Sequence, residues 1–279
     1  MNADRVQCST TEDCVKRGPE FAKTVCVASI CEAQMSGPDP HEHTDAMADA
    51  GPPDPLWGCM DQPKVTSTAP GPFHVTFHLA GILDTTPIQG VTAYMCKKLD
   101  LDCTMPMAGP VTSDVMGNIS FDVPANFTGY VQFAKGTDIT PGIYFFNPPP
   151  AQDMDAVAVQ VVTPGIVGLL TSSFRAPQAD ANGLTLINVA DCGGKAAVGV
   201  SIVAEGIDPM ADEFYSVGGL PTATATETAM EGFGGFVNVP PGPLTVKGVV
   251  NGTKRELQTI SVLIRAGSIT YAKLVPLGR

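Results

Sequence analysis

Basic charge is scarce in this chain: sixteen Lys and Arg stand against twenty-eight Asp and Glu, a formal net charge of -12 over 279 residues. Phosphate binding needs clustered Lys and Arg, so a nucleic-acid partner is excluded, and an anionic membrane surface is disfavoured for the same reason. Aromatic residues make up only 6%, with Trp57 the single tryptophan, and charged residues only 16%. No apolar run approaches the roughly 18 residues of a membrane-spanning helix, and the opening MNADRVQC has no apolar signal core. There is no G-x-S-x-G nucleophile elbow, and no cysteine sits where neighbours would lower its pKa. EGFGGFVNV (231–239) is glycine-rich, but no Lys-Ser or Lys-Thr follows and a strand pattern comes next, so it is a turn and not a phosphate loop.

What is abundant points to strands and turns. Glycine (29) and proline (25) are plentiful, and Val, Thr and Ala dominate the rest, which predicts an all-β fold. Cysteine is unevenly spread. Four of the eight, Cys8, Cys14, Cys26 and Cys31, fall in CSTTEDCVKRGPEFAKTVCVASIC. A structural zinc site grips the metal through paired spacings of about two to four residues, and only Cys26 and Cys31 come close. Disulfides are the expectation, with no metal and no cofactor; four cysteines leave three pairings open. An oxidised framework implies an oxidising compartment, and hence a leader removed ahead of Met1.

SGPDPHEHTDAMADAGPPDP (36–55) follows. It is too poor in large aliphatics to fold and reads as an acidic, semi-extended linker, with His41 and His43 solvated rather than chelating. The succession of CSTTEDC…VCVASIC, DAGPPDP and LWGCM resembles cell-surface lipoproteins of myxobacteria and related bacteria. That resemblance implies an extracellular, outer-membrane surface location, with an acylated cysteine upstream of the knot as the anchor.

From Pro72 short alternating runs sit between turn clusters. FHVTFHL (73–79), VTAYMCK (91–97), ISFDV (119–123), YVQFA (130–134), IYFF (143–146) and AVAVQVV (156–162) form a first series of strand candidates. LTLINVA (184–190), AVGVSIVA (197–204), TATAT (222–226), GFVNV (235–239), LTVKGVV (244–250), LQTISVLI (257–264) and ITYAKLV (269–275) form a second. The series repeat one another: DTTPIQGVTAYM matches DCGGKAAVGVSIVA, and TSDVMGNISFDVP matches TETAMEGFGGFVNVP. The arrangement resembles the carboxypeptidase regulatory-like, or transthyretin-like, β-sandwich, and implies two tandem Greek-key sandwiches. The expected organisation is a knot over 1–35, the linker 36–55, sandwiches over 56–162 and 182–279, and between them 163–181, where Pro164 opens a short helix.

Cys96 ends a strand and Cys103 lies in the loop after it, close enough for a staple; Cys59 and Cys192 are then left to pair by elimination. His74 and His78 share a strand face about 13 Å apart, too far for one ion. FHLAGILDTTPIQGV resembles the first strand of 5-hydroxyisourate hydrolase, but the chain ends KLVPLGR and lacks the Tyr-Arg-Gly-Ser tail that completes that site. The cluster Tyr130, Tyr144, Phe145 and Phe146 is the candidate binding surface, since exposed aromatics grip sugars or a partner protein. The expected role is non-catalytic, structural or adhesive, with a surface polymer, an envelope protein or a second copy as partner. A carbohydrate- or polymer-binding module is the alternative.

Overall fold

The computed structural model describes residues 10–16, 24–27, 30–33, 56–62, 69–172, 174–175 and 177–277, and its chain divides into two compact units, Met1–Pro53 and Asp54–Arg279. Cys8 and the linker 36–55, with His41 and His43, lie outside the described residues.

The first unit holds helix α1 (Thr11–Val15) and a hairpin of β1 (Thr24–Val27) and β2 (Ile30–Ala33). The Asp13 carboxylate accepts from the Thr10 amide at 2.8 Å and so holds the start of this single turn. In the hairpin Cys26 stands opposite Cys31 in register. Cys14 and Cys26 are both disulfide-bonded.

Among its described residues the second unit opens on a 3-10 turn, Gly58–Asp61, and carries fifteen strands and one helix. The first series is β3 (Phe73–Gly81), β4 (Thr92–Cys96), β5 (Ala108–Thr112), β6 (Asn118–Val123), β7 (Tyr130–Ala134), β8 (Gly142–Phe145) and β9 (Met154–Val161). Helix α2 (Pro164–Thr171) follows, started by Pro164 in its first turn and capped by the Thr163 hydroxyl, which accepts from the Ile166 amide. The second series is β10 (Leu184–Val189), β11 (Val200–Glu205), β12 (Asp212–Val217), β13 (Leu220–Thr222), β14 (Phe233–Val237), β15 (Gly242–Val250), β16 (Arg255–Ile264) and β17 (Ile269–Leu274).

These strands form a sandwich-like all-β body in which the two series share one sheet. Nine strands run in the order β13-β12-β14-β10-β17-β8-β7-β4-β5, with β6-β3-β9 and β11-β15-β16 as separate three-stranded sheets. The seam between the series is the parallel pair β17 and β8, with Ile269, Thr270 and Tyr271 opposite Gly142, Ile143 and Tyr144. In each series the first strand pairs in parallel with the last, β3 with β9 and β10 with β17.

Alternation decides which face each side chain joins. Val131, Phe133, Phe146, Ile269 and Tyr271 pack with β3, β6 and β9 into one core. Tyr130, Ile143, Phe145, Ala272 and Leu274 point the other way, into the core built with β11, β15 and β16. The small sheets therefore lie on opposite faces of the large one, and each core also takes in residues of the other series.

The repeat extends to individual hydrogen bonds. Gly90 donates to Ser113 O and Gly199 to Thr228 O; Leu79 donates to Gly117 O and Val189 to Gly232 O. The side-chain oxygens of Ser113 and Thr228 accept from the amides of Val91 and Val200 at 2.9 and 3.1 Å. Gly117 and Gly232 both have positive φ, 75° and 62°. A Cβ at Gly117 would stand 2.3 Å from Leu79 O, so the residue type is set by backbone angle and close approach together.

The pattern of strands departs from expectation at three places. TATAT does not form a strand: β13 ends at Thr222 and a turn follows. DEFYSV forms β12, whose Phe214, Tyr215 and Ser216 are all buried because both faces of the large sheet are covered there. AGPVT forms the edge strand β5, which tolerates Pro110 because its outer side has no ladder to complete.

Candidate functional site

The candidate binding surface is not at the surface. Tyr130 is 0% exposed, Phe145 5% and Phe146 6%, and Tyr144 packs against the first core. The cause is the seam: with β17 at its edge, β8 becomes an inner strand, and what would be the outer face of the first series is covered by Trp57, Met60 and residues of the second. The rings pack edge to face, Phe77 with Phe133 at 5.5 Å and Tyr144 with Phe146 at 5.8 Å. Burial pushes the Tyr144 hydroxyl up to about 12 and raises Tyr215 and Tyr271 as well, so these phenols stay protonated and serve as packing groups. The exposed large apolar side chains among the described residues are Leu, Met and Val. The aromatic strip that the sugar-binding alternative needs is therefore packing material.

The remaining cysteines form staples. Cys59 joins Cys192 with their Cα atoms 5.7 Å apart, and Cys96 joins Cys103 at 5.5 Å. The first link ties the 3-10 turn to the loop after β10. His74 Nδ1 lies 3.1 Å from Asp122 Oδ1, and His78 Nδ1 lies 3.1 Å from Asn118 Oδ1. Each histidine is thus matched to its cross-strand neighbour on β6, and the two do not converge.

A groove of about 720 Å³ runs between the edge of β9, the loop Pro148–Pro150 and the turn Asp191–Ala196. Of its carboxylates, Asp191 accepts from the Lys195 amide of its own turn at 2.9 Å, and Glu231 Oε1 accepts from the Gly219 amide of the β12–β13 hairpin at 2.9 Å, while Glu231 Oε2 is buried without a hydrogen-bond partner. Among the described residues no three His, Cys, Asp or Glu side chains gather as a metal site would require, and no helix is long and apolar enough to cross a membrane.

Two surface features were not legible as sites. The first is the loop between β4 and β5, which is closed by Cys96–Cys103. The Asp100 carboxylate accepts from the amides of Thr104 and Met105 at 2.9 and 2.8 Å, and these bonds hold its pKa below the usual carboxylate range. Arg265 Nε donates to Leu101 O at 2.7 Å and its Nη1 to Gln132 Oε1 at 2.7 Å, while the guanidinium lies 5.2 Å over the Tyr130 ring. The Tyr130 hydroxyl donates to Asp100 O. A loop fixed at so many points nevertheless holds Leu99 89% exposed and Met105 78% exposed.

The second feature lies at the other end of the nine-stranded sheet. There β12 turns into β13 through Gly218 and Gly219, both at positive φ, a two-residue hairpin that places Val217 opposite Leu220. Leu220 is 63% exposed and Leu169 of α2 is 64% exposed. In sequence the signals were the Leu and Met residues of KKLDLDCTMPM and of the α2 segment, each an apolar excess inside a turn or connector.

No family model matches the sequence, and no curated protein matches it. Among solved structures, the Bacillus anthracis TIE protein overlaps at 12% identity and a TM-score of 0.23, with 73% of this chain covered but only 33% of that one. The minor pilin GBS52 of Streptococcus agalactiae overlaps at 14% identity and a TM-score of 0.23, covering 74% of this chain and 98% of its own. The shaft pilin spaA of Lactobacillus rhamnosus GG gives 12% identity and a TM-score of 0.24, covering 74% and 98%. Superpositions this loose carry no functional argument, which must come from the chain's own residues.

Proposed function

We propose that this chain is a non-catalytic structural or adhesive protein of the cell surface, placed outside the outer membrane by a lipid anchor ahead of its cysteine-rich knot. The observation that carries the reading is the oxidation state. Cys59–Cys192 and Cys96–Cys103 are disulfides, and Cys14 and Cys26 are disulfide-bonded too. Such frameworks persist in oxidising compartments and are rare in a reducing cytosol.

The polar groups support a structural role. Arg265, Tyr130 and Asp100 are spent on one loop, Ser113 and Thr228 on the repeated turns, and Gln258 on the Val275 amide at 3.0 Å and the Asn147 side chain. A hydrolase needs a base, an orienting group and a vacant position between them; His74 and His78 instead face Asp122 and Asn118 across neighbouring strands. The test is protease shaving of intact cells that make the protein, with metabolic labelling by an alkynyl fatty acid. Release of fragments from a lipid-labelled chain is the expected result. A chain protected in intact cells, with alkylatable thiols at its cysteines, would refute the proposal.

A further inference from the structure

Three sheet edges in this protein resist extension. β5 carries Pro110, and β13 is three residues long and carries Pro221. Along β11 the Ile202 amide donates to the Tyr215 hydroxyl at 2.7 Å, and the Val200 amide and carbonyl are both taken by Thr228. Prolines, short strands and capped groups all keep an edge from pairing with a further strand.

β9 has none of these devices. It is the outer strand of the sheet β6-β3-β9, and its segment Met154–Ala158 holds no proline or lysine, with Asp155 its charged residue. Backbone groups of successive residues point to opposite sides of a strand. Val161 O accepts from the Ile82 amide at 3.1 Å, on the β3 side, whereas Gln160 O accepts from the Tyr271 hydroxyl at 2.6 Å, on the other. Ala158 shares the direction of Gln160. Among the described residues neither Ala158 nor Ala156 has a backbone partner on that outer side, and both line the groove described above. Five residues of strand run about 17 Å, so a groove of about 720 Å³ along them has a mean section of about 40 Å². One strand in a layered sheet takes about 48 Å², its spacing of about 4.8 Å by a layer of about 10 Å. The groove is one strand wide.

Its floor holds polar groups with nothing to bond. The Tyr144 ring packs against Phe77 and Phe146, burial raises its hydroxyl to about 12, and that hydroxyl has no hydrogen-bond partner among the described residues. The hydroxyls of Tyr130, Tyr215 and Tyr271 each donate. Asn188 of β10 also lines the groove, is exposed, and has a side-chain amide equally unbonded. Buried or half-buried polar groups left open in this way call for a partner. The formal charges of the walls cancel, Lys195 and Lys273 against Asp191 and Glu231, so no polyanion or polycation is selected.

We infer that this groove receives an extended segment of another protein, which adds to β9 as a fourth strand of its sheet. Unpaired amide and carbonyl groups at strand spacing are what a second strand backbone completes. A second copy has no strand to give, because every described strand of this chain already lies in a sheet. Alternate side chains of the segment face the floor, where Tyr144 and Asn188 offer bonds, and the others face solvent. The inference goes beyond the surface role proposed above, and it is read on the purified chain, so either stands or falls without the other.

The test is fluorescence anisotropy of the full chain with three labelled heptapeptides, in which Thr alternates with Val, Leu or Phe between terminal lysines. Each peptide is made unmodified and N-methylated on one or the other alternate set of amides. Saturable binding is expected from at least one peptide. Methylation of the set that faces β9 should weaken it at least about tenfold, and methylation of the other set far less. Ala158→Pro removes one outward amide and leaves the β3 ladder intact; it should weaken binding about tenfold at an unchanged melting temperature. Should that variant fold poorly, the methylated peptides decide on the unmodified chain. No saturable binding at millimolar peptide, equal effects of the two methylated sets, or binding indifferent to Ala158→Pro would overturn the inference. Hydrogen exchange at the Ala158 amide should slow with bound peptide. Slowing on concentrating the chain alone would make a second copy the donor and overturn the assignment to another protein.

Discussion

Removing the Cys59–Cys192 link tests how much of the fold's stability lies in long-range closure. The two residues are 133 apart in sequence, whereas Cys96 and Cys103 are 7 apart. On the chain-entropy account, cross-linking removes about 5 kcal/mol of denatured-state freedom for the long loop and about 2 kcal/mol for the short one at 25 °C. Cys59→Ser with Cys192→Ser should leave native contacts largely in place, since a serine oxygen can replace the sulfur that accepts from the residue-59 amide at 3.1 Å. The loss is therefore expected almost wholly through the unfolded state. At about 2–4 °C per kcal/mol for a unit of this size, the melting temperature should fall by about 10–20 °C. Urea unfolding followed by Trp57 fluorescence and by far-ultraviolet circular dichroism measures this, because Trp57 is buried two residues from the link. A loss under about 1 kcal/mol, or a larger loss from opening Cys96–Cys103, would refute the reasoning.

Three further outcomes follow from particular contacts. Arg265→Gln removes a guanidinium that bonds Leu101 O, Gln132 and the Tyr130 hydroxyl; it should cost about 2–3 kcal/mol in urea unfolding and expose residues 97–107 to proteases. The folded Asp100 pKa is lowered by the Met105 and Thr104 amides. Its contribution is therefore present above the ordinary carboxylate range and lost as pH falls through the folded value. Proteolysis of the loop should rise across that acid range, and Asp100→Asn should abolish the pH dependence. Gly235→Ala puts a Cβ 2.0 Å from Thr185 O across the β14–β10 pair, and about 3 kcal/mol of destabilisation is expected from the urea midpoint.

The strands that carry a clean alternation were legible from sequence. YVQFA matches β7 end to end, and ISFDV and LTLINVA lie within a residue of β6 and β10. Those that failed have a physical reason. β12 is buried on both faces, so DEFYSV has no alternation to find, and β5 is an edge whose proline reads as a turn. The seam was illegible because a parallel pair between residues more than 120 apart leaves no local mark. That seam also explains the aromatic cluster: alternation correctly sends Tyr130 and Phe145 away from the first core, but the face they reach is covered by the second half. The Cys96–Cys103 staple could be reasoned from spacing and Cys59–Cys192 only by elimination, whereas the exposed loop could not be read at all, because its anchoring depends on Arg265, far along the chain.

β8 and β17 fuse the two series into one sheet, and hydrogen exchange at that seam reports whether they do so in solution. The Ile269 amide donates to Pro141 O at 2.8 Å, at the start of the parallel pair. If the sheet is continuous, amides of β8 and β17 facing the seam should exchange as slowly as those between β3 and β6, through global unfolding alone. Exchange at the seam orders of magnitude faster than in β3 and β10, with each half separately protected, would show two independent sandwiches and contradict the account.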